Sequence, residues 1–325
     1  QIDNDVKPVN NQNILSIAET ALRGKGAETA LNRFSPIIVE SLTTLFKNRE
    51  NPSAEHVTMF KTGLGSLQES KLLKGIIIKR RILMDNLPNN LMNPKVAILD
   101  SDLKIRKLTR SVEIKINTAN QLDSFVDAEQ DRKTSITDAI IKSGVTAIFC
   151  SGEIDRDILH QLSDNDILTV GELDSAEIEN IANAVGATLI DSILDIKSSD
   201  LGECKTIQWE RRENTDQVED IIIIDGCKNP KIVTIEVGGS GDIGTDEIIR
   251  GLHDSLRATS IAMADNEIVP GAGSIHSRMA NAVRKASEAE PGRARLAMEA
   301  YARSLETIPT TLVENAGGDS LDRIL

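Results

Sequence analysis

The sequence predicts an α/β multidomain protein in which an α/β domain interrupts a helical one. Three observations carry that reading. Helical periodicity runs over residues 13–47, it returns from residue 246 onward, and a strand–helix–strand rhythm fills residues 146–190 between them. Aromatic residues make up only 2% of the 325, so the cores have to be aliphatic.

Taken in order, residues 1–12 are polar and contain Pro8, as a linker would. Ile14, Leu15, Ile17, Ala18, Ala21 and Leu22 mark a first helix, broken at Gly24-Lys-Gly26. Leu31, Phe34, Ile37, Ile38 and Leu42 mark a second. Residues 59–73, with Gly63 and Gly65, read as a weak helix or turn region. Gly75-Ile-Ile-Ile-Lys79 and Lys95-Val-Ala-Ile-Leu99 are short apolar runs punctuated by Pro88 and Pro94, hence strands. Glu113-Ile-Lys-Ile116 alternates with period two and predicts another strand. Residues 118–143 form a charged helical stretch with a thin stripe of Leu122, Phe125, Val126, Ile136, Ile140 and Ile141.

Strands at 146–150, 167–170 and 188–190, with helices at 154–162 and 174–185, predict a partly parallel sheet flanked by helices. Further strands are expected at 205–211, 219–225 and 231–237, with Asn214 in the turn between the first two. From Asp246, Ile248, Ile249, Leu252, Leu256 and Ile261 recur near the 3.6-residue period, with Asp254 on another face. The turn Pro270-Gly-Ala-Gly-Ser274 then leads into a second helical pattern near Ile275. A small-residue turn at a helix N-terminus can approach a phosphate, although helix–helix punctuation is its commoner meaning. The two helical segments are expected to pair in space around the α/β insertion.

Composition narrows the function. Hydrophobic residues at 40% and charged residues at 27% are those of a soluble globular protein. A net charge of −13 argues against nucleic acid, since no basic face could neutralise a run of phosphates. Cys150, Cys204 and Cys227 are widely spaced and the four histidines do not cluster, so buried thiols in a reducing cytosol are expected rather than a metal site. No apolar run approaches the roughly 18 residues that span a bilayer, and no signal peptide opens the chain, so a cytoplasmic protein without membrane contact is expected. A small-molecule α/β enzyme finds no support: there is no nucleophile–base pair, no Rossmann fingerprint and no metal cluster.

Several weak motifs occur together and in order. They are Ala21-Leu-Arg-Gly-Lys-Gly-Ala-Glu28, Gly75-Ile-Ile-Ile-Lys79, Asn93-Pro-Lys-Val-Ala-Ile-Leu99 and Gly144-Val-Thr-Ala-Ile-Phe-Cys150 with Glu153-Ile-Asp155. Then come Ser199-Asp-Leu-Gly202, Gly226-Cys-Lys-Asn-Pro-Lys231, Leu252-His-Asp-Ser-Leu256, Ala300-Tyr-Ala-Arg-Ser-Leu-Glu-Thr-Ile-Pro309 and Glu314-Asn-Ala-Gly317. Over nearly its whole length the chain resembles a group II chaperonin subunit, the archaeal thermosome type related to the eukaryotic cytosolic chaperonin. The resemblance implies an α/β apical domain with a helical protrusion, inserted in a helical intermediate domain, plus part of an all-helical equatorial domain. It assigns residues 1–9 to a linker from the equatorial domain and 10–78 with 237–270 to the intermediate domain. Residues 79–236 become the apical substrate-binding domain, its protrusion near 117–143, and 271–325 a partial equatorial ATP-binding domain.

The same resemblance implies residue roles. Asp254 matches the aspartate that orients the attacking water in ATP hydrolysis; from its residue type and position alone it reads as a solvated helix-face carboxylate. Lys25 matches a lysine that senses the γ-phosphate, and a solvated lysine in a helix–helix turn is its other reading. Gly271, Ala272 and Gly273 align with a triple-glycine turn against the nucleotide, and Leu312 is expected near the adenine ring. Ala272 and Pro270 stiffen that turn, and His276 stands where the family usually has glutamate. Leu122, Phe125 and Val126 on the protrusion either meet unfolded polypeptide or pack within the protrusion itself. Gly238-Gly-Ser-Gly241 replaces an arginine-containing turn, which is expected to loosen that joint; Val170-Gly-Glu-Leu173 departs from a pattern with two arginines.

The cofactors implied are ATP and Mg²⁺, and the partners are unfolded polypeptides and like subunits in a double ring. The family's phosphate-binding Gly-Asp-Gly-Thr-Thr loop is not among these residues. Gln1 in place of Met, and a helical pattern running on to Leu325, give the expectation of a fragment of a longer subunit rather than a truncated paralogue. An ATP-dependent chaperone is therefore the leading expectation. An ATP-independent polypeptide-binding module is the alternative, because that loop and the magnesium ligand would lie outside the chain.

Overall fold

The computed structural model describes residues 6–63, 65–105, 119–213, 218–239 and 242–319. In chain order the elements begin with β1 (Lys7–Pro8), α1 (Asn11–Leu22), α2 (Leu31–Asn48), β2 (Val57–Lys61), β3 (Lys71–Leu73), β4 (Ile76–Lys79), β5 (Asn90–Met92) and β6 (Lys95–Leu99). They continue with α3 (Ala119–Ser143), β7 (Ala147–Cys150), α4 (Arg156–Ser163), β8 (Leu168–Val170), α5 (Ser175–Val185), β9 (Leu189–Ile190) and β10 (Gly202–Glu203). The last are β11 (Thr206–Glu213), β12 (Val218–Asp225), β13 (Val233–Val237), α6 (Asp242–Asp265), β14 (Glu267–Ile268), α7 (Ser274–Ser287) and α8 (Arg293–Asn315). Two compact units result, Ala18–Arg257 and Gln1–Ile17 with Ala258–Leu325.

In the larger unit β6, β7 and β8 run parallel, with Val96 opposite Ala147 and Ala147 opposite Leu168. The other edge of β6 is shared: β10 pairs antiparallel with its first half and β9 parallel with its second. Successive side chains of a strand point to opposite faces. Val96 and Ile98, with Ala147 and Phe149, accordingly enter one core together with Ile76, Ile78, Ile222 and Ile224 of the sheet β4-β12-β11-β5 and with Ile178 and Ile181 of α5. Ala97, Leu99, Ile148 and Cys150 enter a second core with Ile140 of α3 and with Ile158 and Leu162 of α4. Burial on both faces explains why these strands read as unbroken apolar runs. All three cysteines are free and buried, and burial pushes the Cys150 thiol up to about 12.

Local chemistry fixes the helix ends. The Asp155 carboxylate accepts the Asp157 N–H at 2.9 Å and caps α4. Lys133 of α3, nearly buried, reaches Asp157 at 2.6 Å and Asp155 at 3.2 Å, tying the second half of α3 to that capped end.

The Asp220 side chain on β12 is almost wholly enclosed. It accepts the Ile82 N–H at 2.7 Å and two guanidinium N–H groups of Arg211 at 2.7 and 3.1 Å. The Arg211 guanidinium, and then the Ile82 amide, hold its carboxyl below the usual aspartate range. A carboxyl lowered on folding contributes stability above its unfolded pKa of about 3.9, and loses that contribution as pH falls through the folded value. Asp220→Asn is therefore expected to lower stability by about 1–3 kcal/mol at neutral pH. The gap from wild type should close as the pH falls below about 4, which thermal unfolding at a series of pH values would measure.

Three expectations need correction. Residues 59–73 carry strands as well as a turn: β2 pairs parallel with β13, β3 pairs antiparallel with the same strand, and helical backbone between them is limited to one 3-10 turn at Leu67–Glu69. Val57, Thr58 and Phe60 favour the extended pleat, and the partner strand is distant in sequence. Ile261 does not join the buried stripe of α6 and is 52% exposed; Ser255 and Thr259 are buried along with Ile248, Leu252 and Leu256. Gly238 marks a tight joint rather than a loose one. Its N–H donates to Ser70 Oγ at 3.0 Å, and a β-carbon there would lie 2.2 Å from the Ser66 carbonyl oxygen. The strand expected at 113–116, the turn at Asn214, and Ser240 and Gly241 lie outside the described residues.

In the smaller unit β1 pairs antiparallel with β14, and α7 packs along α8. Ala280 and Ala302 are fully buried, and Arg284 of α7 forms a paired ion contact with Glu306 of α8.

Candidate functional site

The residues assigned to nucleotide chemistry fall in both units, and each group is described by itself. In the larger unit the link after α1 folds back on itself. The Gly24 N–H donates to the Glu28 carboxylate at 2.9 Å, and the Glu28 N–H donates to the Lys25 carbonyl at 2.9 Å. Ala27 and Ala30 are buried, and a β-carbon on Gly26 would lie 3.5 Å from Ile248 Cγ1 of α6. The link therefore rests on α6. Ser255 Oγ donates to the Ala18 carbonyl at 3.0 Å, joining α6 to α1 as well.

That packing brings Lys25 and Asp254 together. Lys25 Nζ lies 2.6 Å from Asp254 Oδ2, and the pair is partly open to solvent. The Lys25 ammonium, with smaller contributions from Arg250 and His253, holds the Asp254 carboxyl below the ordinary aspartate value. Asp254 is thus an ionised acceptor at neutral pH, suited to orienting a water by its protons. In this conformation one carboxylate oxygen is engaged by Lys25. A phosphate that drew the ammonium away would free it, since both anions compete for one cation.

In the smaller unit Gly271, Ala272 and Gly273 form the turn entering α7. Ala272 has φ +54° and Gly273 φ +78°. The Ser274 hydroxyl donates to the Pro270 and Gly271 carbonyls at 2.9 and 2.8 Å, closing the turn. A β-carbon on Gly273 would sit 2.9 Å from Pro309 Cα of α8, whereas one on Gly271 would meet nothing within 4 Å. Leu312, three residues beyond Pro309, is 47% exposed. The turn thus offers open backbone at Gly271, and α8 offers accessible aliphatic surface at Leu312. His276 Nδ1 is shielded and lacks a hydrogen-bond partner. For a divalent ion the fit is poor: among the described residues no group of three or more His, Cys, Asp or Glu side chains could hold one.

The side chains of Leu122, Phe125 and Val126 lie outside the described residues, although their backbone belongs to α3. Among the described residues no helix is long and apolar enough to cross a membrane. Sequence reasoning did not single out Glu28, which ties the Gly24 amide, or Gly251, which lies beneath Lys25. An isolated glycine inside a strongly periodic helix was the available signal for the second.

The profile of the TCP-1/cpn60 chaperonin family matches residues 1–324. Thermosome subunit beta of Archaeoglobus fulgidus is 33% identical over 309 residues, covering 94% of this chain and 56% of the relative. Thermosome subunit alpha of the same organism is 32% identical over 321 residues, covering 98% of this chain and 58% of the relative. The chain therefore spans under two thirds of the length of these relatives. Among solved structures, the open state monomer of a group II chaperonin from Methanococcoides burtonii matches with a TM-score of 0.65 at 22% identity, over 99% of this chain and 75% of that one.

Proposed function

The chain belongs to the TCP-1/cpn60 chaperonin family, and from that premise we propose that it is part of an ATP-dependent chaperone subunit. The subunit would bind unfolded polypeptides and enclose them in a double ring with like subunits, in the cytoplasm. Residues 79–236 would be the apical domain, 10–78 with 237–270 the intermediate domain, and 271–325 a part of the equatorial domain. Leu122, Phe125 and Val126 would meet the polypeptide.

The observation that carries the reading is the contact between Lys25 and Asp254, 229 positions apart in sequence and 2.6 Å apart in space. Nucleotide bound to the subunit supplies a phosphoryl group whose transfer to water drives the cycle. Lys25 binds the terminal phosphate as a point charge on a short link. Asp254, released from Lys25, accepts hydrogen bonds from a water and sets its direction of approach, and positioning of this kind accounts for much of the catalysis in phosphoryl transfer. Gly271, Ala272, Gly273 and Leu312 bind the nucleotide at a wall of backbone and aliphatic surface. Mg²⁺ would be held by residues other than those described.

The test is ring assembly and client protection by a polypeptide of the relatives' full length that contains this chain. Double rings in electron micrographs, with ATP-dependent suppression of aggregation of a denatured client, are expected. Absence of both rings and ATP hydrolysis would refute the proposal.

A further inference from the structure

We propose that Gly251 is a positioning residue of the Lys25–Asp254 pair: its missing side chain leaves a shelf on α6 along which the lysine stem lies to reach the carboxylate. The proposal rests on the roles given above to Lys25 and Asp254, but its test reads the pair itself and not ATP turnover.

Glycine is among the poorest helix formers, so one buried in the middle of α6 calls for a packing reason. The space above it supplies that reason. A β-carbon built on Gly251 would lie 3.5 Å from both Cβ and Cδ of Lys25 and 3.6 Å from Ala27 Cβ. These are ordinary contact distances, so a single methyl fits there. Any longer side chain would have to displace the lysine stem or lift the link that carries it. Asp254 lies three positions further along α6, and residues so spaced are neighbours on a helix surface. A lysine held along its stem also gives up less rotamer freedom on pairing than one that reaches out through solvent. Gly26 sits over Ile248 one turn earlier, so the height of the link above α6 is fixed at two points by glycines, one on each partner.

The experiment is a carbon-13 titration of the Asp254 side-chain carboxyl in the 325-residue chain, the signal being assigned by its loss in Asp254→Asn. Wild type and Gly251→Ala are expected to titrate together, below an ordinary aspartate. Gly251→Leu is expected to titrate higher, where Lys25→Met places the same carboxyl. If the leucine variant does not fold, Gly251→Met, long but unbranched, is read in the same way. The proposal is overturned if the long variants titrate with wild type, if Gly251→Ala moves as far as they do, or if Lys25→Met leaves the carboxyl unchanged. Loss of ATP turnover in Asp254→Asn bears on the catalytic reading alone, so the two can fail separately.

Discussion

Asp254→Asn is expected to slow ATP turnover about 10²–10⁴-fold in a polypeptide of the relatives' full length, the range typical for loss of a positioned side chain in proton handling. Asparagine keeps the volume of the side chain and removes its charge. Its amide end donates where the carboxylate only accepts, so a water bound there is no longer turned by two equivalent acceptors. The Michaelis constant should change little, because the roles assigned to the turn and to Leu312 do not involve Asp254. Stability should change little as well, since this carboxylate lies at the surface and its pairing with Lys25 is solvent-screened. Steady-state kinetics would check the first expectation and thermal unfolding the second. Turnover equal to that of wild type would remove Asp254 from the mechanism.

Gly273→Ala is expected to destabilise the smaller unit by about 2–5 kcal/mol, through two additive causes. At φ +78° an L side chain is strained, by about 1–2 kcal/mol. The new methyl would also lie 2.9 Å from both Cα and Cβ of Pro309, and overpacking of that kind costs about 1–3 kcal/mol. Pro309 sits inside α8 and is buried, so the contact cannot be relieved by a side-chain rotation. Ala272→Gly is the control. Alanine at φ +54° already carries left-handed strain, so glycine should leave stability unchanged or raise it by up to about 1 kcal/mol. Hydrogen exchange along α7 and α8 reads both variants locally. Equal protection in Gly273→Ala and wild type would show that the turn yields more easily than its contacts imply.

Much of the architecture was legible because its signals are local. The strands at 147–150 and 168–170 are apolar runs set off by turn residues, and α4 and α5 have period and caps. What escaped was non-local. Nothing near Met59 and Phe60 indicates that β2 will lie beside β13, and without the partner its mixed pattern resembles a turn region. Ile261 was misplaced because counting apolar positions alone passes over Ser255 and Thr259, which follow the buried face of α6. The site behaved similarly. Lys25 and Asp254 were named through the family likeness, whereas their contact depends on how the link between α1 and α2, residues 23–30, rests on a helix far along the chain. Gly251 carries no chemistry of its own, and its effect becomes visible only once the stem of Lys25 is seen above it.

Strand β6 has both faces buried in aliphatic cores, and this makes its register an unusual problem of specification. In a half-exposed strand, a slip by one residue turns apolar side chains out into water, and the error is rejected by hydrophobicity. Here the same slip would only exchange Val96 and Ile98 for Ala97 and Leu99, and each core would still receive hydrocarbon. Polarity is blind to the mistake. Discrimination must come from shape, because a methyl and a branched butyl group fill different volumes, and from the strands alongside. Three of them grip β6 at once: β7 on one edge, β10 and β9 in succession on the other. A shifted β6 would have to carry all three with it. Their pairing does for this strand what a wet face does for others.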